Sequence, residues 1–352
     1  MTLFELGWKS THELEWNRTD RGNHFPARVS AVHKNTWKLL STSEEFVVSL
    51  SGRLRHRLLK LEQLPAAGDW VETDGTTILD ILPRFSKLSR KAAGRRTDEQ
   101  VVATNVDTVF VVSGLDHDFN LRRLERYLAL VWESGAEPVV VLNKADLPID
   151  VDQLRFETEA AAPGVSVFAT SARDGSGLDQ LGPYLQIGKT VALVGSSGVG
   201  KSTLVNRLCG VERQAVRSIA DDGRGRHTTT SRTLIVLPSG ALFIDTPGMR
   251  EIQLWGSEEN LNQAFDEIDR LAVGCRFRDC RHVAEPGCAV LLALDSGTVS
   301  EERYESYMKL RKELAFLERK QDLAAELEVK KKWKRIHKAH RTRMKQGFGK
   351  GG

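Results

Sequence analysis

Near the middle of this chain of 352 residues stands the octapeptide Gly195-Ser196-Ser197-Gly198-Val199-Gly200-Lys201-Ser202, which fits the phosphate-loop pattern GxxxxGK[ST]. In such a loop the glycines let backbone N–H groups face the phosphates, the lysine reaches the terminal phosphates, and the serine hydroxyl binds Mg²⁺. The apolar run 190–194 is typical of a buried strand, and residues 202–208 predict the start of a helix. The sequence therefore predicts a strand, a phosphate loop and a helix in succession.

A second motif, Asn143-Lys144-Ala145-Asp146, lies upstream of the phosphate loop and follows the apolar run 138–142. Open α/β sheets bind ligands at the carboxyl ends of their strands. The carboxylate of Asp146 can accept hydrogen bonds from both the ring N–H and the amino group of guanine, which adenine does not offer. Thr170-Ser171-Ala172, at the end of the predicted strand 165–169, matches the loop that supports guanine O6 in GTPases. The two motifs together favour GTP over ATP.

Two further stretches complete the predicted site. Asp245-Thr246-Pro247-Gly248 follows the apolar run 241–244, where the acid can hold Mg²⁺ through water and the Gly248 N–H can sense the γ-phosphate. The alternative for this stretch is a plain Pro-Gly turn. Residues 223–230, Gly-Arg-Gly-Arg-His-Thr-Thr-Thr, are too polar for a packed element and predict a mobile switch. Its Thr228 or Thr229 is expected to close on Mg²⁺.

The predicted site is made of short motifs that lie far apart in the chain. The residues expected to bind GTP are Asn143, Lys144, Asp146, Ser171, Ala172, Gly195, Ser196, Ser197, Gly198, Val199, Gly200, Lys201, Ser202, Thr203, Asp245 and Gly248. The residues expected to bind Mg²⁺ are Ser202, Thr228, Thr229 and Asp245.

The order of these motifs predicts how the strands of the domain are connected. A Ras-like domain runs from the phosphate loop through the switch threonine and DxxG to NKxD and the SA loop, whereas here NKxD and the SA loop come first. The order is that of a circular permutation, which is sterically cheap because domain termini lie on the surface. Six candidate strands and helices such as 121–133 and 178–185 suffice for one doubly wound α/β sheet, assigned to residues 105–256. The strands are expected near 107–112, 138–142, 165–170, 190–194, 233–237 and 241–245.

A compact group of metal-binding residue types follows, formed by Cys275, Cys280, His282 and Cys288. Three thiolates and one imidazole make the ligand set of a closed structural Zn²⁺ site without an open catalytic position. A disulfide framework is the competing interpretation, although no secretory signal is visible and only Cys209 lies outside the group. We expect one structural zinc in a helical domain over residues 257–329.

The segments before the central domain predict a small β-domain. Short β-branched and aromatic runs alternate with polar turns over residues 27–85, which favours a closed β-barrel of the OB-fold type that can bind RNA, with a purely structural barrel as the alternative. Residues 1–26 are polar and are expected to be a flexible lead-in. Residues 86–104 form a basic linker, either a strip facing phosphates or a solvated connector; the preceding Arg84 belongs to the same basic run.

The charge of the chain is concentrated at its C-terminal end. The formal net charge is +4, while residues 330–352 contain ten Lys or Arg and no acidic residue. This distribution favours a tethered contact with a polyanion such as RNA, with a disordered solubilising tail as the alternative. No run of residues is long and apolar enough for a membrane span, so we expect a cytoplasmic protein without a membrane partner.

The permuted GTPase motifs, the preceding barrel and the following C-x4-C-x-H-x5-C group together resemble the bacterial ribosome small-subunit-dependent GTPase A family over about residues 27–345. The resemblance implies an OB-fold, a permuted GTPase domain and a zinc-binding domain. It further implies docking on the 30S subunit and its 16S rRNA late in assembly, with GTP hydrolysis stimulated by the subunit and GDP left after turnover. A monomer is expected.

The residue after the DTPG motif is Met249, where Ras-like enzymes use a glutamine to orient the attacking water. A thioether cannot do this, so intrinsic hydrolysis should be slow. We expect the subunit to order residues 217–230 and to bring His227, or a group from RNA, to the water; a His227 that only contacts the partner is the alternative. The alternative function is an RNA-binding assembly scaffold with GTP or GDP as a conformational ligand. A GTPase of tRNA modification or membrane traffic is disfavoured by the two flanking modules.

Overall fold

The computed structural model describes residues 1–58, 61–91, 99–210, 233–245, 265–301, 303–309 and 311–312. The strands among these residues are β1 (Phe25–Val32), β2 (Trp37–Leu40), β3 (Glu45–Leu50), β4 (Trp70–Thr73), β5 (Thr77–Ile81), β6 (Lys87–Lys91), β7 (Glu99–Thr104), β8 (Thr108–Gly114), β9 (Glu137–Asn143), β10 (Ser166–Thr170), β11 (Thr190–Val194), β12 (Thr233–Val236) and β13 (Leu242–Asp245). The helices are α1 (Ser10–Trp16), α2 (Gly52–Arg57), α3 (Leu121–Ser134), α4 (Val151–Ala161), α5 (Lys201–Cys209), α6 (Asp266–Ala272) and α7 (Ala289–Asp295), with short 3-10 helices at Leu61–Gln63 and Leu178–Tyr184. Residues 303–309 are also helical.

The central sheet has the strand order β10-β9-β8-β11-β13-β12, in which the first five strands are parallel and β12 is antiparallel. The strand before the phosphate loop, β11, therefore lies between β8, which comes earlier in the chain, and β13, which comes later. All six strands expected from the sequence are present. The sheet confirms a circularly permuted GTPase domain.

Both faces of this sheet are buried, which explains the continuous apolar runs of its strands. On β8, Val109 and Val111 belong to the core cluster that includes α3, while Phe110 and Val112 belong to the cluster that includes α5. This alternation is the period of two that a strand imposes on its side chains. The predicted helix 121–133 is confirmed as α3, whereas 178–185 forms a 3-10 helix containing Pro183, whose missing N–H cannot support a regular α-helical turn.

The N-terminal module is a closed five-stranded barrel of the OB type. Its strands pair in the order β1-β2-β3-β5-β4, and β4 returns to pair with β1. The barrel core contains residues from all five of these strands and from α2, among them Val29, Leu39, Val48 and Leu54, all buried. The sequence-based expectation of a small closed barrel is therefore confirmed.

The barrel is fused to the central sheet and is not tethered by a solvated linker. Strand β1 pairs antiparallel with β12 through Ala31 and Thr233, so one sheet of eleven strands runs through both modules. The connection expected as a basic linker contains the hairpin β6–β7, whose Val102 and Ala103 are fully buried in the core shared with α3. Arg84 is neither a phosphate contact nor solvated, because it forms an ion pair of 2.7 Å with the buried Asp69.

The first residues of the chain, expected to be flexible, are folded. Leu6 is fully buried, and Trp8 packs edge-on against the buried Trp70 at 4.7 Å between ring centroids. The sequence pattern missed this because α1 is only seven residues long and buries only His12, so it shows no apolar stripe. Lys9 Nζ also lies 2.6 Å from Asp107 Oδ1, which ties this segment to the edge of the GTPase domain.

The C-terminal module packs directly on the GTPase domain. Phe265, Ile268 and Val290 are fully buried in the same hydrophobic cluster as Leu128 and Val131 of α3. No helix among the described residues is both long and apolar enough to cross a bilayer. The basic residues 330–352 and the switch 217–230 lie outside the described residues.

Candidate nucleotide site and metal centre

The three predicted loops of the nucleotide site meet at Asn143, the last residue of β9. Its Nδ2 donates a hydrogen bond of 2.8 Å to the carbonyl of Val199, and its Oδ1 accepts one of 2.9 Å from the N–H of Ala172. The side chain is buried, so these two hydrogen bonds replace those that its amide group would make with water. One side chain thereby holds the phosphate loop and the 170–172 loop at the carboxyl end of β9.

The phosphate loop needs glycine at two positions for steric reasons. Gly195 has φ 147°, and a Cβ there would lie 2.2 Å from the carbonyl oxygen of Val112. Gly200 has φ 93°, and a Cβ there would lie 2.3 Å from Asn143 Nδ2. The second glycine therefore makes room for the amide that joins the two motifs. Helix α5 begins directly afterwards, so its N-terminal N–H groups border the loop.

Lys201 and the serines of the phosphate loop are placed around an accessible rim. Lys201 Nζ donates to the carbonyls of Gly195, at 2.7 Å, and Ser196, at 2.5 Å. The remaining predicted residues of this rim are exposed and available to a ligand: Ser197, Gly198, Ser202 and Thr203.

The predicted base-recognition residues lie together on the other side of Asn143. Ser171 Oγ donates a hydrogen bond of 2.8 Å to Asp146 Oδ1, and Arg173 Nη1 lies 3.6 Å from Asp146 Oδ2. The N–H of Ala145 donates to the carbonyl of Thr170 at 3.0 Å, which fixes one loop against the other. These contacts hold the Asp146 carboxylate at the strand ends, 16% exposed, where it can accept further hydrogen bonds.

Of the predicted residues outside the phosphate loop that are expected to hold Mg²⁺, contact the γ-phosphate or act in hydrolysis, one is described and four are not. Asp245 is the half-buried last residue of β13, which pairs with the phosphate-loop strand β11. His227, Thr228, Thr229 and Gly248 lie outside the described residues.

The four predicted metal ligands lie close together. Cys275 Sγ lies 3.8 Å from Cys288 Sγ and 3.6 Å from His282 Nδ1, and His282 Nδ1 lies 3.3 Å from Cys288 Sγ. The ligand atoms of these residues and Cys280 all lie within 4.8 Å of one another. Zn–S bonds of about 2.3 Å at tetrahedral angles place sulfur atoms about 3.8 Å apart, so the donor set fits Zn²⁺.

The surroundings of this cluster also suit a structural metal. Cys280, His282 and Cys288 are buried, and no disulfide joins any of the four cysteines of the chain, all of which are described. Burial lowers the pKa of His282, which favours the neutral imidazole that a metal requires. The Tyr304 hydroxyl donates to the His282 carbonyl, which anchors the loop to the following helix.

Comparison with known proteins gives the family. A protein of Opitutus terrae named small ribosomal subunit biogenesis GTPase RsgA is 45% identical over 359 residues, which cover 97% of this chain and 98% of that relative. The family model described as RsgA GTPase matches residues 81–255. This chain belongs to the RsgA GTPase family.

Solved structures agree with that family and with the permuted fold. The crystal structure of YjeQ from Thermotoga maritima has a TM-score of 0.63 and 30% identity and covers 83% of this chain and 99% of its own. The structure of YloQ, described as a circularly permuted GTPase, has a TM-score of 0.60 at 24% identity and covers 84% of this chain and 98% of its own. The second likeness supports the fold alone.

Sequence reasoning missed two carboxylates at the site of this RsgA-family chain. Asp116 Oδ2 lies 2.5 Å from Lys144 Nζ, and Asp118 Oδ2 accepts a hydrogen bond of 2.6 Å from Ser196 Oγ. The Lys144 hydrogen bond lowers the pKa of Asp116, and the Ser196 hydrogen bond lowers the pKa of Asp118. Their position directly after β8, beside the phosphate-loop strand, was the signal that could have found them.

Proposed function

We propose that this chain hydrolyses GTP and acts in the maturation of the small ribosomal subunit. The observation that carries the proposal is the double hydrogen bond of Asn143, which joins the guanine motif, the 170–172 loop and the phosphate loop in one cradle. The names of the relatives support both the hydrolase and its ribosomal role. The permuted sheet supports the same conclusion, because it brings motifs that are distant in the chain to neighbouring strand ends.

In this proposal each side of the cradle recognises one part of the nucleotide. Asp146 accepts hydrogen bonds from guanine, and the Ala172 N–H side of the SA loop faces guanine O6. Lys201 leaves the loop carbonyls for the β- and γ-phosphates, while the N–H groups of the glycine-rich loop face the phosphate oxygens. GTP therefore lies across the strand ends, with GDP retained by the same contacts after hydrolysis.

The metal-binding residues have separate roles. Ser202, Asp245 and Thr228 or Thr229 would hold Mg²⁺, which when bound neutralises charge on the β- and γ-phosphate oxygens. Gly248 would contact the γ-phosphate through its N–H. Cys275, Cys280, His282 and Cys288 would hold one structural Zn²⁺, and a site with four protein ligands leaves no position for catalysis.

Hydrolysis requires a group to orient water, and Met249 cannot do so. We therefore assign this role to His227, brought to the water when the 30S subunit orders residues 217–230, with an RNA group as the other candidate. The partners in this proposal are the 30S subunit and its 16S rRNA, contacted by the barrel, the zinc module and the basic tail 330–352. The chain would act in the cytoplasm as a monomer.

Single-turnover GTP hydrolysis, measured with and without purified 30S subunits, tests this function. We expect slow hydrolysis by the protein alone, strong stimulation by the subunit, and preference for GTP over ATP. His227→Ala should abolish the stimulated rate and leave GTP affinity intact. Absence of any stimulation in the wild type would instead indicate an assembly scaffold with incidental turnover.

The basic tail is tested by the salt dependence of 30S binding. Each phosphate contact that is lost makes the slope of log affinity against log salt shallower by about 0.7 to 0.9. A chain lacking residues 330–352 should therefore bind the subunit with a shallower slope than the full chain. An unchanged slope would remove the tail from the proposed interface.

A further inference from the structure

The loop between β8 and α3, residues 115–120, lies against both halves of the nucleotide cradle. Asp116 contacts Lys144 of the guanine motif at 2.5 Å, and Asp118 contacts Ser196 of the phosphate loop at 2.6 Å. The second contact joins residues that are 78 positions apart in the chain. One short loop therefore reaches two motifs that bind different parts of the proposed ligand.

Each carboxylate is paired with a cation, and this pairing determines whether the carboxylate repels a bound polyphosphate. Asp118 Oδ1 lies 2.9 Å from Arg123 Nη2 of α3, and Asp116 has its partner in Lys144. An unmatched carboxylate beside the phosphates would repel them, because both carry negative charge. Because both charges are compensated, these side chains can support the cradle without opposing a bound anion.

The geometry of the loop also restrains the carboxylates. The N–H of Asp118 donates to Asp116 Oδ1 at 3.2 Å, and the side chain of Asn120 caps α3 by accepting from the N–H of Arg123 at 2.9 Å. The loop is thereby fixed both to itself and to a helix that packs in the core. Hydrogen bonds to an ionised acceptor are roughly twice as strong as neutral ones, so Ser196 and Lys144 are held firmly.

The contact of Asp118 continues toward the phosphate-binding lysine. Ser196 donates its hydroxyl to Asp118, while its carbonyl accepts a hydrogen bond of 2.5 Å from Lys201 Nζ. Asp118 therefore holds Ser196, whose carbonyl is hydrogen-bonded to Lys201. Asp116, in contrast, acts on Lys144 of the guanine motif, whose backbone has φ 73° and whose Nζ lies 2.5 Å from Asp116 Oδ2.

We propose that Asp116 and Asp118 are positioning residues for the nucleotide: Asp118 fixes the phosphate loop through Ser196, and Asp116 fixes Lys144 on the side that receives guanine. The inference rests on the proposed function, because it takes the guanine nucleotide as the ligand. It assigns one acid to each half of the cradle.

This division has a measurable signature. Loss of Asp118 should weaken binding more as the ligand gains phosphates, whereas loss of Asp116 should weaken all guanine nucleotides by the same factor. The removal of a charge-assisted hydrogen bond corresponds to about tenfold in affinity. We expect Asp118→Ala to raise the Kd of GDP and GTP about tenfold and that of GMP less than about twofold. Asp116→Ala should raise all three Kd values by a similar factor.

The experiment is a calorimetric titration of the full chain, loaded with Zn²⁺, with GMP, GDP, GTP and ATP. Asp118→Asn should recover part of the loss, because the amide oxygen can still accept from Ser196. Glu159→Ala, which removes an exposed carboxylate paired with Arg155 at 2.8 Å, is the matched control and should leave every Kd unchanged. Thermal melting of each variant checks that the fold is retained.

A double-mutant cycle completes the test. The double variant Asp118→Ala/Ser196→Ala should bind GDP and GTP no more weakly than either single variant, because both changes remove the same hydrogen bond. Fully additive losses, or an Asp118→Ala loss equal for GMP and GTP, would overturn the inference. If the wild type itself fails to prefer guanine nucleotides over ATP, it is the proposed function that fails.

Discussion

The GTPase domain is joined to the barrel and to the zinc module by two different kinds of contact. On the barrel side the link is largely main-chain: β1 continues the sheet through β12, and the guanidinium of Arg28 donates to three carbonyls. On the zinc side the link is made of side chains, with one hydrophobic cluster shared between α3 and the metal-binding module. The first junction depends on backbone geometry and the second on packing.

A buried network of ion pairs also fixes the orientation of the C-terminal module on the GTPase domain. Arg303 Nη1 lies 2.5 Å from Glu125 Oε1 of α3, and Ser306 Oγ donates to the same carboxylate at 2.5 Å. Arg303 also lies 2.6 Å from Glu267 and stacks over Phe265 at 4.3 Å. Loss of one member of this buried network would leave an uncompensated charge, which is energetically costly. The network therefore favours a single position of the helix over residues 303–309 on the GTPase domain.

The largest expected effect comes from metal removal at this junction. A structural zinc contributes on the order of 10 kcal/mol to the folding of small zinc domains, and Cys280 and Cys288 lie in the same cluster as α3. We expect Cys288→Ser, or a strong chelator on the wild type, to lower the Tm of the whole chain, including the GTPase domain. Calorimetry with and without Zn²⁺ measures this.

Cys209→Ser is the control for that experiment, since Cys209 is a half-buried thiol outside the metal cluster. It should change the Tm by no more than a few degrees. A GTPase domain that melts unchanged after metal removal would show that the shared cluster does not couple the two modules.

The barrel-side junction should respond less strongly to the loss of Arg28. Arg28 is completely buried, and burial lowers its pKa to about 10, which shows that the charge itself is costly there. Arg28→Met relieves that cost but removes all three donors. The Gly68 carbonyl keeps a hydrogen bond from Asn105 Nδ2, so the carbonyls of Leu6 and Asn105 are left without a donor, at about 1 to 3 kcal/mol each. We expect a net loss of about 2 to 4 kcal/mol.

The form of the melting curve distinguishes coupling from simple destabilisation. If Arg28 fuses the barrel to the GTPase domain, Arg28→Met should separate a lower transition for the barrel from that of the central sheet. Arg57→Met, which breaks an exposed ion pair of 2.5 Å with Asp80 on the barrel, should cost less than about 1 kcal/mol and keep the transitions together. A single, uniformly shifted transition in both variants would contradict the fusion.

The two junctions also show what the sequence could predict. The parallel strands were predictable because β8, β9 and β11 are buried on both faces and read as continuous apolar runs. The cluster of Cys275, Cys280, His282 and Cys288 was predictable because its members lie within one short segment. The barrel strand β2, Trp37–Leu40, cannot be assigned from the sequence, because four residues are too few to establish an alternation.

The junctions themselves could not be read from the sequence. Pairing of Ala31 with Thr233 joins residues about two hundred positions apart, and no local pattern specifies such a partner. A buried arginine such as Arg28 looks like any surface arginine until its three carbonyl acceptors are known. Asp116 and Asp118 were missed for the same reason, since their partners come from other loops.

The smallest expected effect concerns Glu133 of α3, at the barrel-side junction where the hairpin β6–β7 packs on this helix. Burial raises the pKa of Glu133 to about 8, with the negative charge of Glu99 adding to the shift and Lys87 opposing it. Well below pH 4.5, the ordinary pKa of Glu, Glu133 is protonated in both the folded and the unfolded chain, so its ionisation does not affect stability. As the pH rises to 8 the unfolded chain ionises while the folded chain keeps its proton, so the free energy of unfolding falls.

Glu133→Gln removes this penalty, because the neutral amide has no charge to bury. The variant should match the wild type near pH 4.5 and become more stable by about 1 to 2 kcal/mol at pH 9, a figure reduced from the full shift because Glu133 is only half-buried. Urea unfolding across this pH range measures it, with the exposed Glu137→Gln as the control that should stay flat. A constant difference at every pH would mean that the hairpin does not bury the carboxylate, and that the barrel side is held by β1 and Arg28 without it.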